Sequence, residues 1–141
     1  MAYSNYRKYL ETEVYSADPL KQVCMLYLGA MEATRAARRH LKTREIRERS
    51  RQVMRGLAIL RELSRSLNPQ YEEISRPLRE LYAYMQTRLL EANAKQIDAP
   101  LEEVEQLLST LHEGWKAAIP AAPAVLAERL DAPYRSISCK Y

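Results

Sequence analysis

Phenylalanine is absent from this chain of 141 residues, and glycine occurs only three times. β-Branched residues are also few. Strands draw on β-branched and aromatic side chains, and hairpins draw on glycine, so the shortage argues against a sheet protein. Cysteine is scarce. Cys24 and Cys139 are too few for a disulfide framework and lack zinc-ligand spacing, and Cys24 sits in an apolar run. No apolar run reaches the ~18 residues of a membrane span. The opening MAYSNYRKYL contains no apolar signal segment. The expectation is a cytoplasmic protein with no membrane insertion.

The patterns of catalysis are missing as well. There is no Gly-rich phosphate loop. His40 and His112 stand alone, with Ala37 and Ser109 three residues before them, so the Glu-x-x-His pairs of a di-iron bundle are not there. No serine or cysteine is tied by pattern to a base. A binding protein is expected, with no enzymatic activity, no cofactor and no metal.

What the chain does have is helical periodicity. Its hydrophobic fraction of 47% suffices for one core. Asp18 reads as an N-cap and Pro19 as a first helical residue, followed by Leu20, Val23, Tyr27, Ala30, Thr34, Ala37 and Leu41 at steps of three and four. A second stripe runs through Ile46, Val53, Leu57, Leu60, Leu63 and Leu67, interrupted at Ser50 and ended by Asn68-Pro69. A third runs through Ile74, Leu78, Leu81, Met85, Leu89 and Ala92. Pro77 puts its regular start near Ser75, or else a kink at Pro77 itself. The fourth follows Asp98 and Pro100, through Leu101, Val104, Leu108, Leu111 and Trp115, until Pro120. Short links force antiparallel neighbours. The expected fold is all-α: an antiparallel up-down-up-down four-helix bundle over 18–119. It carries an N-terminal arm over 1–17 and an Ala/Pro-rich linker and short helical tail over 120–141.

Two places hold more apolar residues than a bundle core needs. The first predicted helix is apolar nearly all round from Val23 to Met31, which puts Met25 and Leu28 away from the core stripe. Such a patch usually marks a contact surface. The arm offers tyrosines and aliphatics to cover it, among them Tyr9, Leu10 and Val14. The arm is either a permanent part of the core or a lid that a partner displaces. The third helix carries Tyr82, Tyr84, Met85, Leu89 and Asn93 where a surface helix would carry Glu and Lys. These read either as core packing or as the wall of a groove for an amphipathic client.

Charge is unevenly placed on a chain of net +4. From Arg35 to Arg65 eleven basic residues face three acids, whereas the fourth helix and its entry are acidic, with Asp98, Glu102, Glu103, Glu105 and Glu113. Complementary faces of neighbouring helices explain this. So does a nucleic-acid-binding or regulatory bundle using the Arg-rich face of the first two helices, although no aromatics interleave there for base stacking. An acidic protein partner is a third explanation.

Four blocks in order carry a more specific signal: YLETEVYSADPLKQVCMLYLGA, ILRELSRSLN, LYAYMQTRLLEAN and LEEVEQLLSTLHEGWKAAI. In order and spacing they resemble the flagellar secretion chaperones of the FliS family, over roughly Tyr9 to Ile119. Ser16-Ala17-Asp18-Pro19 departs mildly from the family's Thr-Ala-Ser-Pro entry. Pro69-Gln70-Tyr71 stands where a Gly-containing turn is common. The resemblance implies a chaperone that holds the disordered C-terminal segment of flagellin, prevents premature polymerisation and keeps it competent for flagellar type III secretion. It further implies delivery to a component of the flagellar export gate. Tyr9 matches the family tyrosine that plugs the client groove. The remaining expectations are a homodimer in the client-free state and no nucleic acid partner.

Overall fold

The structure, a computed structural model, describes residues 19–118. The expected arm with Tyr9, Leu10 and Val14, the Asp18 cap, the Pro120 stop and the tail lie outside the described residues. Four helices follow one another: α1 (Pro19–Lys42), α2 (Ile46–Arg65), α3 (Glu72–Lys95) and α4 (Ala99–Ala118), with a 3-10 turn at Pro69–Tyr71 before α3. They pack in a ring, α1 against α2 and α4, and α3 against the same two. Cross-helix bonds give the directions. Arg49 near the start of α2 meets Asn93 near the end of α3. Arg38 near the end of α1 meets Asp98 just ahead of α4. The neighbours are antiparallel, as short links require.

The core is the set of stripes read from the sequence. Leu57, Leu60, Met85, Leu89, Leu101, Val104 and Leu108 are each 2% exposed or less. Each such side chain contributes about 1.5–3 kcal/mol over leaving it in water. Ala30, Ala33, Ala36 and Ala37 of α1 are buried too. Their small size, with Gly56 on α2, lets the helices approach closely: a Cβ at Gly56 would lie 3.9 Å from that of Ala33. Tyr27 ties three helices together in the interior. Its hydroxyl shares a hydrogen bond with that of Tyr82 across the bundle and accepts one from Trp115 Nε1 at 3.1 Å. Tyr82, considered above as either core or groove wall, is therefore core.

Two expected core positions are not core. Ile46 is 56% exposed and Ile74 58%. Both sit in the first turn of their helices, at the ends of the bundle, where fewer neighbours close over the stripe. Arg49, by contrast, falls on the buried face of α2.

Both short links turn without glycine. Arg44 (φ 61°) and Gln96 (φ 56°) take the left-handed conformation that usually selects Gly. At the first, Glu45 N–H bonds His40 O at 2.9 Å and Arg44 N–H bonds Leu41 O at 3.2 Å, which closes the end of α1 in a Schellman arrangement. The α2–α3 link is fixed by Asn68. Its side chain accepts from Gln70 N at 2.9 Å, and its carbonyl accepts from the Ser75 hydroxyl at 2.7 Å. α3 then begins at Glu72 and runs through Pro77. This start is earlier than the sequence suggests, because the 3-10 turn feeds directly into the helix.

Candidate protein-binding surface

The residues expected to form a client surface divide by depth. Tyr82, Met85 and Leu89 are 0–1% exposed. They belong to the core stripe of α3. Met25 is half-buried and Leu28 is 46% exposed, so the apolar excess of α1 is narrower than its sequence suggests. Asn93 is half-buried and tied to α2. The arm residues Tyr9, Leu10 and Val14 lie outside the described residues.

A different set of apolar side chains reaches the surface. Met54 on α2 is 53% exposed, Leu90 on α3 51%, and Ile97 just past α3 41%; Ile46 joins them at the start of α2. Their register follows from two cross-links, Arg49 with Asn93 and Gly56 beside Leu89. Continuing that antiparallel register sets Met54 level with Leu90 and Ile46 level with Ile97. At 100° per residue Met54 and Leu90 fall on the flanks of the α2–α3 crevice, whereas Ile46 lies on the core stripe at the open start of α2 and Ile97 follows the turn at Gln96. The crevice thus carries an apolar strip, while Leu28, Ile74 and Tyr84 are exposed elsewhere on the bundle. Sequence periodicity missed it because single exposed apolar residues carry no signal. Only the pairing of two helices makes them neighbours.

Polar groups hold the middle of this crevice. Arg49 Nε donates to Asn93 Oδ1 at 2.8 Å, Arg49 Nη2 donates to Asn93 O at 3.3 Å, and Ser50 Oγ donates to the same Oδ1 at 3.3 Å. Arg49 is only 3% exposed.

Comparison with known proteins adds to this geometry. A family model described as "Flagellar protein FliS" matches residues 2–122. The chain belongs to the FliS family. It is 36% identical over 115 residues to the flagellar secretion chaperone FliS of Salmonella typhimurium (strain LT2), covering 80% of this chain and 85% of that one. To the flagellar secretion chaperone FliS of Bacillus subtilis (strain 168) it is 31% identical over 120 residues, covering 84% and 90%. To the flagellar secretion chaperone FliSB of Pseudomonas aeruginosa (strain PAO1) it is 30% identical over 107 residues, covering 75% and 85%. The FliS match takes in the four helices together with Tyr9, Leu10 and Val14.

The Arg-rich side of this FliS-family bundle is partly neutralised from within. Arg38 grips Asp98 with Nε and Nη2, both at 2.9 Å, and reaches Glu105 with Nη1 at 2.9 Å. Arg35 Nε holds the other oxygen of Glu105 at 2.8 Å. The bonds to Asp98, then to Glu105, raise the Arg38 pKa above its ordinary value. For Glu105 burial pushes the pKa up, but the bonds from Arg35 and Arg38 outweigh it and hold the carboxyl below its ordinary range. The Tyr84 hydroxyl bonds Glu103, which raises the tyrosine's pKa, and together with Arg88 it lowers that of Glu103. The acidic fourth helix is thus the electrostatic partner of α1 and α3. Among the described residues no group of His, Cys, Asp or Glu gathers to hold a metal. No described helix is long and apolar enough to cross a membrane.

Proposed function

We propose that this chain is a cytoplasmic export chaperone for flagellin, binding the disordered C-terminal segment of that protein and keeping it from polymerising before flagellar type III secretion. It binds and does not catalyse. The observation that carries the reading is the exposed strip of Ile46, Met54, Leu90 and Ile97 on a bundle of the FliS family. An amphipathic segment that is helical in its final assembly can lay its apolar face along such a strip. A disordered segment loses conformational entropy on binding, so it needs a long contact, and a crevice along two helices supplies one.

The arm supplies the second part of the proposal. Tyr9, Leu10 and Val14 act as a tethered lid over the client surface, including the neighbourhood of Met25 and Leu28, and leave when the client arrives. Tethering raises the lid's effective concentration, so client affinity is reduced by the fraction of chaperone that is closed. Exchange of lid for client, a client-free homodimer and handover to an export-gate component complete the reading.

Co-purification tests it. Full-length flagellin should be retained by the chain, and flagellin lacking its C-terminal segment should not. Equal retention of both would overturn the proposal.

A further inference from the structure

Arg49 is the one charged residue among the buried described residues. Taking a guanidinium out of water is costly unless a carboxylate compensates it. Here none does. The only described side chains bonded to Arg49 are neutral: it donates to the amide oxygen and the backbone carbonyl of Asn93. That leaves much of a five-donor fork unused. Holding Asn93 in place does not need a charge, since a neutral donor could do it without the desolvation.

The position of this cation along the crevice suggests its use. One turn before Arg49 stands exposed Ile46, and further along α2 stands Met54. Leu90 on α3 lies one turn before Asn93, and Ile97, just past α3, follows it by four residues. The apolar strip is therefore interrupted at its centre by a positive charge on a residue only 3% exposed, with apolar side chains on both sides. Carboxylate–arginine pairs in such a poorly hydrated setting are strong and directional.

Resting on the flagellin reading above, we infer that Arg49 is a specificity-determining residue of the client surface: it pairs with a carboxylate on the client helix that is bracketed, one turn to either side, by the apolar residues that settle on Met54–Leu90 and Ile46–Ile97. The crevice selects an apolar–acidic–apolar helix face rather than any apolar helix. Asn93 and Ser50 act as positioning residues that hold the guanidinium fork.

The test uses the full chain and a synthetic flagellin C-terminal segment, with each Asp or Glu of the segment changed in turn to Asn or Gln. One neutralisation should weaken binding roughly tenfold, as expected for one charge-assisted pair. The same change should cost almost nothing against Arg49→Gln or Arg49→Met. Of these, Arg49→Met should fold at least as well as the native chain, because a buried charge is replaced by an apolar side chain. A measurement without any variant runs beside it. The Arg49 Nε–H resonance of the 15N-labelled chain should move on adding the native segment and stay put with the neutralised one. If every neutralised segment loses the same factor against native and Arg49 variants, or if the resonance does not distinguish them, the inference is wrong while the flagellin reading stands. If the native segment does not bind at all, the flagellin reading fails and takes this inference with it.

Discussion

Gly29 and Gly56 both lie inside helices, and replacing each with alanine should have different consequences. In a helix interior Gly→Ala is worth about 1 kcal/mol in backbone propensity. That gain is common to both sites, so the difference comes from what the new methyl meets. At Gly29 it would lie 3.3 Å from Ile59 Cδ1, the far end of a half-buried side chain that can swing toward solvent. At Gly56 it would lie 3.2 Å from Leu89 Cδ1, and Leu89 is 1% exposed in the centre of the core. Leu89 is packed within the core cluster, where overpacking of this kind costs about 1–3 kcal/mol. Gly29→Ala should therefore stabilise by about 0.5–1 kcal/mol, whereas Gly56→Ala should range from neutral to about 2 kcal/mol destabilising. Urea titration of the purified proteins at pH 7 reads both. Equal stabilisation by the two substitutions, or a larger gain at Gly56, would refute the reasoning from packing. The position also bears on function, since Leu89 adjoins Leu90 and a displaced Leu89 disturbs the strip.

Two further outcomes follow from the surface and from the charges. Met54→Asp and Leu90→Asp should leave stability within about 0.5 kcal/mol, because both side chains are half exposed, yet each should weaken flagellin binding by roughly tenfold or more, the value of one buried aliphatic anchor; normal binding by both would remove the α2–α3 crevice from the client surface. Glu105 has its folded pKa held below the ordinary carboxylate value of about 4.3, so its contribution is present above that pH and fades as pH falls through the lower folded value. Glu105→Gln should be less stable than the native chain at pH 7, and the gap should close as the pH falls below about 4; a pH-independent gap in thermal melts would show that the bonds to Arg35 and Arg38 are not its source.

Much of the fold was legible because four stripes with steps of three and four repeat along the chain, and Asn68-Pro69 and Pro100 punctuate them. The links were less legible. Arg44 and Gln96 adopt the left-handed conformation without being glycine, so nothing local announced those turns. The exposed ends Ile46 and Ile74 fit the stripe by spacing alone, and spacing does not tell where the neighbouring helix stops. The surface was harder still. Met85 and Leu89 read as both core and groove, and the structure buries both. The crevice residues Met54, Leu90 and Ile97 come from separate helices and gain meaning only through the Arg49–Asn93 register. Arg49 itself resembled one more arginine of a basic helix, because burial of a charge leaves no mark in a sequence.

The most direct test of the central claim is calorimetric titration of the isolated flagellin C-terminal segment into this chain at several temperatures. The expected result is saturable binding with a negative heat-capacity change, the mark of apolar burial, that is lost when Met54 and Leu90 are both changed to Asp. Absence of binding, or binding that those changes leave untouched and whose log affinity falls steeply with log salt, would contradict it.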